Sequence, residues 1–315
     1  MVNGISEVNV YDRLLQRCPV TKLHDGLKSA DSEKLRDRLV TILEVNPYYV
    51  KQVIRVIIDN NYHNDIEWFY EKYVDLLQYS SMDSKKMDII RYIFNGEVYV
   101  DINERPNLIS AMSTTGFRTW EAASYLCDYI SNVDTESLNG CSTVLELGAG
   151  TGLCSLTLLK GKFQDDLKKV YVTDGDTELI SGQLLSNFKL NEMEHEIGQK
   201  VKLQRLLWGE DSIPNDIDCV IGADVTYDDT LFDDLFKCLR QCFEIESCKM
   251  CLIASTIRNV ETDRKFLEHC HDSDFKVEII QSTELDPQSK ARVEQTILNK
   301  PLIAPIMIYK IYKEI

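Results

Sequence analysis

The stretch Val144-Leu145-Glu146-Leu147-Gly148-Ala149-Gly150-Thr151-Gly152-Leu153 sets an acid and three glycines between an extended apolar run and a helical one. Glycines in such a turn let the backbone approach a ligand that a Cβ would exclude, outside the carboxyl ends of the strands. The spacing is GxGxG; residue 153 is Leu where the dinucleotide fingerprint GxGxxG needs glycine, and the Gly-Lys-Ser/Thr ending of the triphosphate loop is missing. Asp174, in Thr173-Asp174-Gly175-Asp176, lies 22 residues beyond Gly152, about where a doubly wound nucleotide fold places a carboxylate on ribose hydroxyls. Asp176 is the rival for that role, or a helix N-cap. Turn and acid together fit an adenosine-containing cofactor, of either the nicotinamide or the S-adenosylmethionine kind.

Three further pieces occur in order: Thr119-Trp120-Glu121-Ala122-Ala123, Leu206-Leu207-Trp208-Gly209 and Gly222-Ala223-Asp224-Val225-Thr226-Tyr227. With the glycine turn, they resemble the seven-strand S-adenosylmethionine-dependent methyltransferases over roughly residues 97–311. More narrowly, they are similar to the protein-lysine methyltransferases called methyltransferase family 16. The resemblance implies that Gly148, Ala149 and Gly150 approach the methionine part of the cofactor, that Glu146 helps to hold that end, and that Asp174 binds the ribose. Trp120, Trp208 and Ala223 would line the remaining wall. A sulfonium cation is favoured beside carboxylates and aromatic faces, which is compatible with that set.

For the reaction, Asp224 and Tyr227 are the candidate catalytic residues. Methyl transfer is an in-line displacement, so placing the amine does most of the catalytic work. A free lysine has a pKa of about 10.4 and must lose a proton before it attacks. Asp224 and nearby backbone carbonyls would orient the amine, with Tyr227 as wall or hydrogen-bond partner. A helix N-cap for Asp224 and a core position for Tyr227 are the bland readings.

The elements that must position these residues follow from periodicity. Leu35, Leu39, Val40 and Leu43 predict a helix over Glu33 to Leu43; Pro47 to Asp59 predicts a second, Trp68 to Leu77 a third, and Lys85 to Phe94 a fourth. Residues 1–94 thus read as a helical unit. The section 95–141 reads as a hairpin-like pair, Glu97 to Ile102 with Leu108 to Met112, followed by a helix from Glu121 to Ile130. From residue 142 to 315, strand candidates Thr143 to Leu147, Lys169 to Thr173, Val201 to Leu206, Ile217 to Gly222, Met250 to Ser255, Phe275 to Ile280 and Ile306 to Ile311 alternate with helical segments. That alternation predicts an α/β fold with a doubly wound, mostly parallel, seven-stranded sheet, the Rossmann-like form of the methyltransferases.

Composition narrows the partners. The net charge of −16 is a poor match to nucleic acid, whose binding rests on Lys and Arg. Residues 1–110 carry 14 basic and 17 acidic side chains, and the remaining 205 carry 21 and 34, so the acidity lies in the later part. An acidic face attracts a basic, lysine-bearing surface. No apolar run approaches the length of a bilayer crossing, and the start lacks a basic stretch followed by an apolar one, which predicts a cytoplasmic protein. The ten cysteines read as reduced thiols. Cys238, Cys242, Cys248 and Cys251, with His269-Cys270-His271, admit a zinc site in principle, but Cys238 and Cys242 fit a helix and Cys251 a strand, so no metal is expected.

The helical unit ahead of the catalytic part is most similar to the methyltransferases that modify a lysine of translation elongation factor 2. That resemblance implies S-adenosyl-L-methionine as cofactor and this factor as the protein substrate, met by a monomeric enzyme. The alternatives are another protein substrate, such as a chaperone or translation factor, or a cofactor-fold binding module without turnover.

Overall fold

Five helices open the chain: α1 (Val10–Leu15), α2 (His24–Ser29), α3 (Ser32–Leu43), α4 (Pro47–Asn60) and α5 (Glu67–Asp75). A computed structural model describes residues 8–81, 86–106, 115–132, 138 and 140–314. Asp31 caps α3 by accepting from the Lys34 N–H, and Asn46 caps α4 through Tyr49, with Pro47 in the first turn. Leu14, Leu27, Leu35, Leu39, Val53, Ile54, Ile57 and Phe69 fill the core between these helices and are fully buried.

Where a fourth helix was expected over Lys85 to Phe94, the chain forms strand β1 (Asp88–Phe94), antiparallel to β2 (Val98–Glu104). Asn95 and Gly96 both have positive φ, 46° and 80°, and Glu97 N donates to Phe94 O at 3.1 Å. This three-residue connection, Asn95 to Glu97, is tight enough to keep the pair antiparallel, and its two positive φ values fix the hairpin around Asn-Gly. The pairing expected between Glu97 to Ile102 and Leu108 to Met112 is therefore replaced on one side by β1; the second run lies outside the described residues. Arg17 pairs with Asp88 at 2.7 Å, and Asn46 donates to the same carboxylate at 2.6 Å, so the first strand residue is clasped by the helical unit.

The outer edge of β2 is satisfied by side chains. Helix α8 (Thr177–Leu179) continues through a π-helical turn, Ile180–Leu184, into α9 (Leu185–Leu190). From this run and just beyond it, Gln183 donates to Asn103 O at 2.7 Å and Asn187 accepts from Asn103 N at 2.9 Å. Asn191 both accepts from Asp101 N at 3.0 Å and donates to Asp101 O at 2.7 Å.

Seven strands form the main sheet: β3 (Thr143–Leu147), β4 (Lys169–Asp174), β5 (Val201–Arg205), β6 (Cys219–Ala223), β7 (Met250–Thr256), β8 (Lys276–Ser282) and β9 (Ile306–Tyr312). Their spatial order is β5-β4-β3-β6-β7-β9-β8. The first five run parallel, and β9 lies antiparallel between β7 and β8. Helices α6 (Glu121–Asn132) and α7 (Leu153–Lys160) join one apolar layer, and α10 (Phe232–Glu244) and α11 (Val260–Asp272) the other. Helix α12 (Pro287–Arg292) is tied to α6 by Arg292, which grips the buried Asp128 at 2.6 and 2.7 Å. Both faces of the sheet are covered, which explains why its central strands are nearly unbroken apolar runs.

The ten cysteines are free thiols, and nine are buried. Cys238 and Cys242 lie on α10, Cys251 on β7 and Cys270 on α11, all within one apolar layer. Among the described residues no three His, Cys, Asp or Glu side chains converge on a metal position. None of the described helices is long and apolar enough to cross a membrane.

Candidate active site

Strand β3 pairs with β4 on one side and β6 on the other, so the chain winds away from it in both directions. A crevice opens at the carboxyl end of such a strand. Here it is a cleft of about 690 Å³, and Trp120, Glu146, Gly148, Ala149, Gly150, Asp174, Trp208, Ala223, Asp224 and Tyr227 all line it.

The glycine turn makes one wall. Gly148 and Gly150 have φ of +59° and +53°, in the left-handed region. A Cβ on Gly148 would lie 2.9 Å from the Val225 side chain, and one on Gly150 would press on the Gly116 backbone at 3.4 Å. Ala149 N donates to Thr173 O at 2.8 Å, which holds the turn against β4. Thr119 and Thr151 share a hydroxyl hydrogen bond of 2.8 Å, joining the segment ahead of α6 to the same turn.

Two carboxylates face this end. Glu146 is buried, and its Oε2 accepts from the Ser155 N–H at 3.2 Å and from the Ser155 hydroxyl. Loss of water around it pushes its pKa up to about 7, with the Ser155 hydrogen bonds pulling the other way. Asp174 accepts from Gly150 N at 3.0 Å and from Asp176 N at 3.1 Å. Burial raises its pKa too, against those N–H groups. Asp176 caps α8 through Glu178 N and Leu179 N, so its Oδ1 is committed to the helix. Among the described residues, no Lys, Arg or His side chain pairs with Glu146 or Asp174. Buried carboxylates without a cation, beside a cradle that a Cβ would close, fit a ligand bringing positive charge and hydroxyl donors, as S-adenosylmethionine does.

The other end has the opposite character. Asp224 follows β6 with φ of +53°, rare for a residue with a side chain. Its own N–H donates to Ala254 O at 2.8 Å. Its carboxylate accepts from Thr256 N at 2.9 Å and Thr256 Oγ1 at 3.0 Å, and pairs with Arg258 at 3.2 Å. Arg258 also stacks on Trp120, 5.0 Å from the ring centroid, while Arg118 stands 4.7 Å from the same ring. Glu121 pairs with Arg118 at 2.6 Å and Lys300 at 2.8 Å, and lies 3.8 Å from Arg258. Burial alone would push the Glu121 carboxyl up; Lys300 and Arg118 outweigh it and hold the group below its ordinary range. Tyr227 stands half exposed at the mouth, with the Asp228 cap and Leu231 beyond it.

Sequence reasoning missed Arg258. It lies two residues beyond β7, at the same sheet edge as the glycine turn after β3 and Asp224 after β6, and that position was the available signal. Glu121 stood inside the Trp120 motif but was not singled out, because its three cations come from residues 118, 258 and 300.

The lysine methyltransferase family model matches residues 109–273. Over 96% of its length the chain is 41% identical to Protein-lysine N-methyltransferase EFM3 of Saccharomyces cerevisiae, covering 98% of that protein. It is 28% identical to human Protein-lysine N-methyltransferase EEF2KMT, over 81% of this chain and 82% of that one. Mouse Protein N-lysine methyltransferase METTL21A is 36% identical over 47% of this chain and 63% of its own length. The chain belongs to the lysine methyltransferase family and is an S-adenosylmethionine-dependent protein-lysine N-methyltransferase.

Proposed function

We propose that the chain methylates a lysine of translation elongation factor 2, acting in the cytoplasm as a monomer. The reading is supported by the match to EFM3 along nearly the whole chain, N-terminal helices included, and by the similarity to EEF2KMT. The acidic mouth supports a basic substrate surface: Asp234 lines it with Tyr227 and Leu231, and Asp228 and Asp233 are close along the chain, while Asp229 is paired with Lys265.

Glu146 and Asp174 would hold the cofactor's cationic and ribose parts, the glycine turn its backbone-tight side, and Trp120, Trp208 and Ala223 the rest of its envelope. S-adenosylmethionine held there would supply a methyl group on a sulfonium sulfur, to be passed to the lysine nitrogen with the sulfur left as a neutral thioether. The lysine ammonium must first give a proton to water. Tyr227 walls the approach, and Asp224, in its left-handed conformation, shapes the floor where the amine arrives. Carboxylates at the donor end that no cation among the described residues pairs with are the observation that supports the cofactor assignment.

We further propose that the helical unit steadies the catalytic part, with its boundary ahead of Asp88 and not at residue 94. Gln16 donates to Thr296 O at 2.7 Å and Lys22 to Asn299 O at 3.0 Å, next to the Lys300 that reaches Glu121.

The test uses lysate from cells lacking this protein, purified enzyme, methyl-labelled cofactor and an Asp224→Ala control. One labelled band at the size of elongation factor 2, absent in the control and mapped to lysine, supports the target. Label on another protein overturns the target and leaves the chemistry.

A further inference from the structure

A protein-lysine methyltransferase meets its substrate as an ammonium ion, yet only the neutral amine attacks. A carboxylate at the amine site would hold the lysine in its unreactive charged form, because an opposite charge within a few ångströms favours ionisation. Asp224 raises this difficulty, since it lines the cleft.

The structure answers it with a cation. Arg258 places Nη1 and Nη2 at 3.4 and 3.2 Å from the two oxygens of Asp224, and the N–H and hydroxyl of Thr256 take one oxygen each. The guanidinium is kept there from its other side by the Trp120 ring at 5.0 Å and by Glu121 at 3.8 Å. Glu121 is itself occupied by Arg118 and Lys300. Arg258 thus bridges Asp224 to Glu121 across the Trp120 indole, and Asp224 is satisfied before any substrate arrives.

We infer that Arg258 is a positioning residue for methyl transfer: by neutralising Asp224 it cancels that carboxylate's hold on an ammonium, so that the substrate lysine can react there as the neutral amine, while Asp234 and Tyr227 line the same cleft further toward its mouth. This rests on placing the amine beside Asp224. It also changes the part Asp224 plays. The carboxylate is a clamp that fixes a strained backbone turn through Thr256 and Arg258, and it does not serve as the proton acceptor.

The test is the pH dependence of single-turnover methylation of the protein that the wild-type enzyme labels in the lysate experiment. Label on a protein other than elongation factor 2 changes only the substrate used here. Removing the cation with Arg258→Met exposes the Asp224 charge, so the acid limb of the profile should move to higher pH by about one unit, a roughly tenfold loss below the limb that is recovered at high pH. Asp224→Asn should move the limb the other way or leave it in place, and the Asp224→Asn, Arg258→Met pair should bring it back toward wild type. Arg258→Lys keeps the charge and should keep the limb. Cofactor affinity by calorimetry and melting temperature, read on every variant, identify any that fail to fold. A pH-independent loss in Arg258→Met, with the limb unmoved and Arg258→Lys equally impaired, would assign Arg258 a purely structural role and overturn the inference.

Discussion

The two ends of the cleft hold carboxylates under opposite conditions. At the donor end, Glu146 and Asp174 are pushed up by burial, and among the described residues no cationic side chain pairs with either. At the amine end, Asp224 and Glu121 are crowded by Arg258, Arg118 and Lys300. A buried acid that lacks a cation is a site for a cationic ligand, and one already paired is part of the frame. In the roles proposed above, the same residue type binds at one end and builds at the other.

The sharpest way to break this contrast is to exchange the effects of equivalent changes. Asp174→Ala should weaken S-adenosylmethionine by about a hundredfold in calorimetry, the loss of a charged acceptor together with its grip on Gly150. Asp224→Asn should change that affinity by less than about threefold, roughly 0.7 kcal/mol. Equal losses in both would mean that the ends are not distinct.

Gly148→Ala forces a side chain into a left-handed position 2.9 Å from Val225, which should lower stability by about 2 kcal/mol and reduce cofactor binding as well. A melting curve and a titration on one preparation check both.

Protonation gives a gentler probe of the donor end. Glu146 stays protonated in the ligand-free fold up to about pH 7, whereas an ordinary carboxyl ionises near 4.5. The folded state thus holds a proton that the unfolded chain has lost, and this group makes the fold less stable as pH rises from 4.5 to about 7, with no further loss above. A bound cation favours the ionised form, so cofactor affinity should climb by up to about tenfold per unit approaching pH 7 and then level. Glu146→Gln should flatten this rise. A wild-type profile already flat between pH 5.5 and 7.5 would remove Glu146 from the cation's contacts.

The smallest effect is expected at the half-exposed edge of the frame. Lys300→Met removes one of several cations on Glu121 and should cost about 1 kcal/mol or less in a denaturant melt.

Much of this was legible from residue types. The glycine turn, Asp174 and the two tryptophan segments converge on one cleft, because strand ends of a parallel sheet share an edge and motifs at strand ends are brought together by topology. The central strands were readable as apolar runs because both faces are covered, whereas the edge strands β5 and β8 mix polar and apolar residues. The hairpin was not: Asp88-Ile89-Ile90-Arg91-Tyr92-Ile93-Phe94 suits either period, and the deciding signal was Asn95-Gly96, whose two positive φ values favour a tight turn. Arg258 escaped because its partners lie 34 and 137 residues away in sequence, and an ion pair of that separation leaves no local pattern.

The carboxamides that meet β2 have a bearing on how the protein behaves when crowded. An exposed strand edge is a template on which another chain can add, the ordinary route to aggregation. Gln183, Asn187 and Asn191 recur every four residues and occupy the N–H and C=O of Asp101 and Asn103. They act as a third strand assembled from side chains, one that cannot be extended because its next layer is helix. The β2 edge is thereby closed to a neighbouring chain by three amides, and the middle one, Asn187, also donates to Thr151 O at 2.9 Å, so the cap on the ribbon is tied to the glycine turn of the cleft.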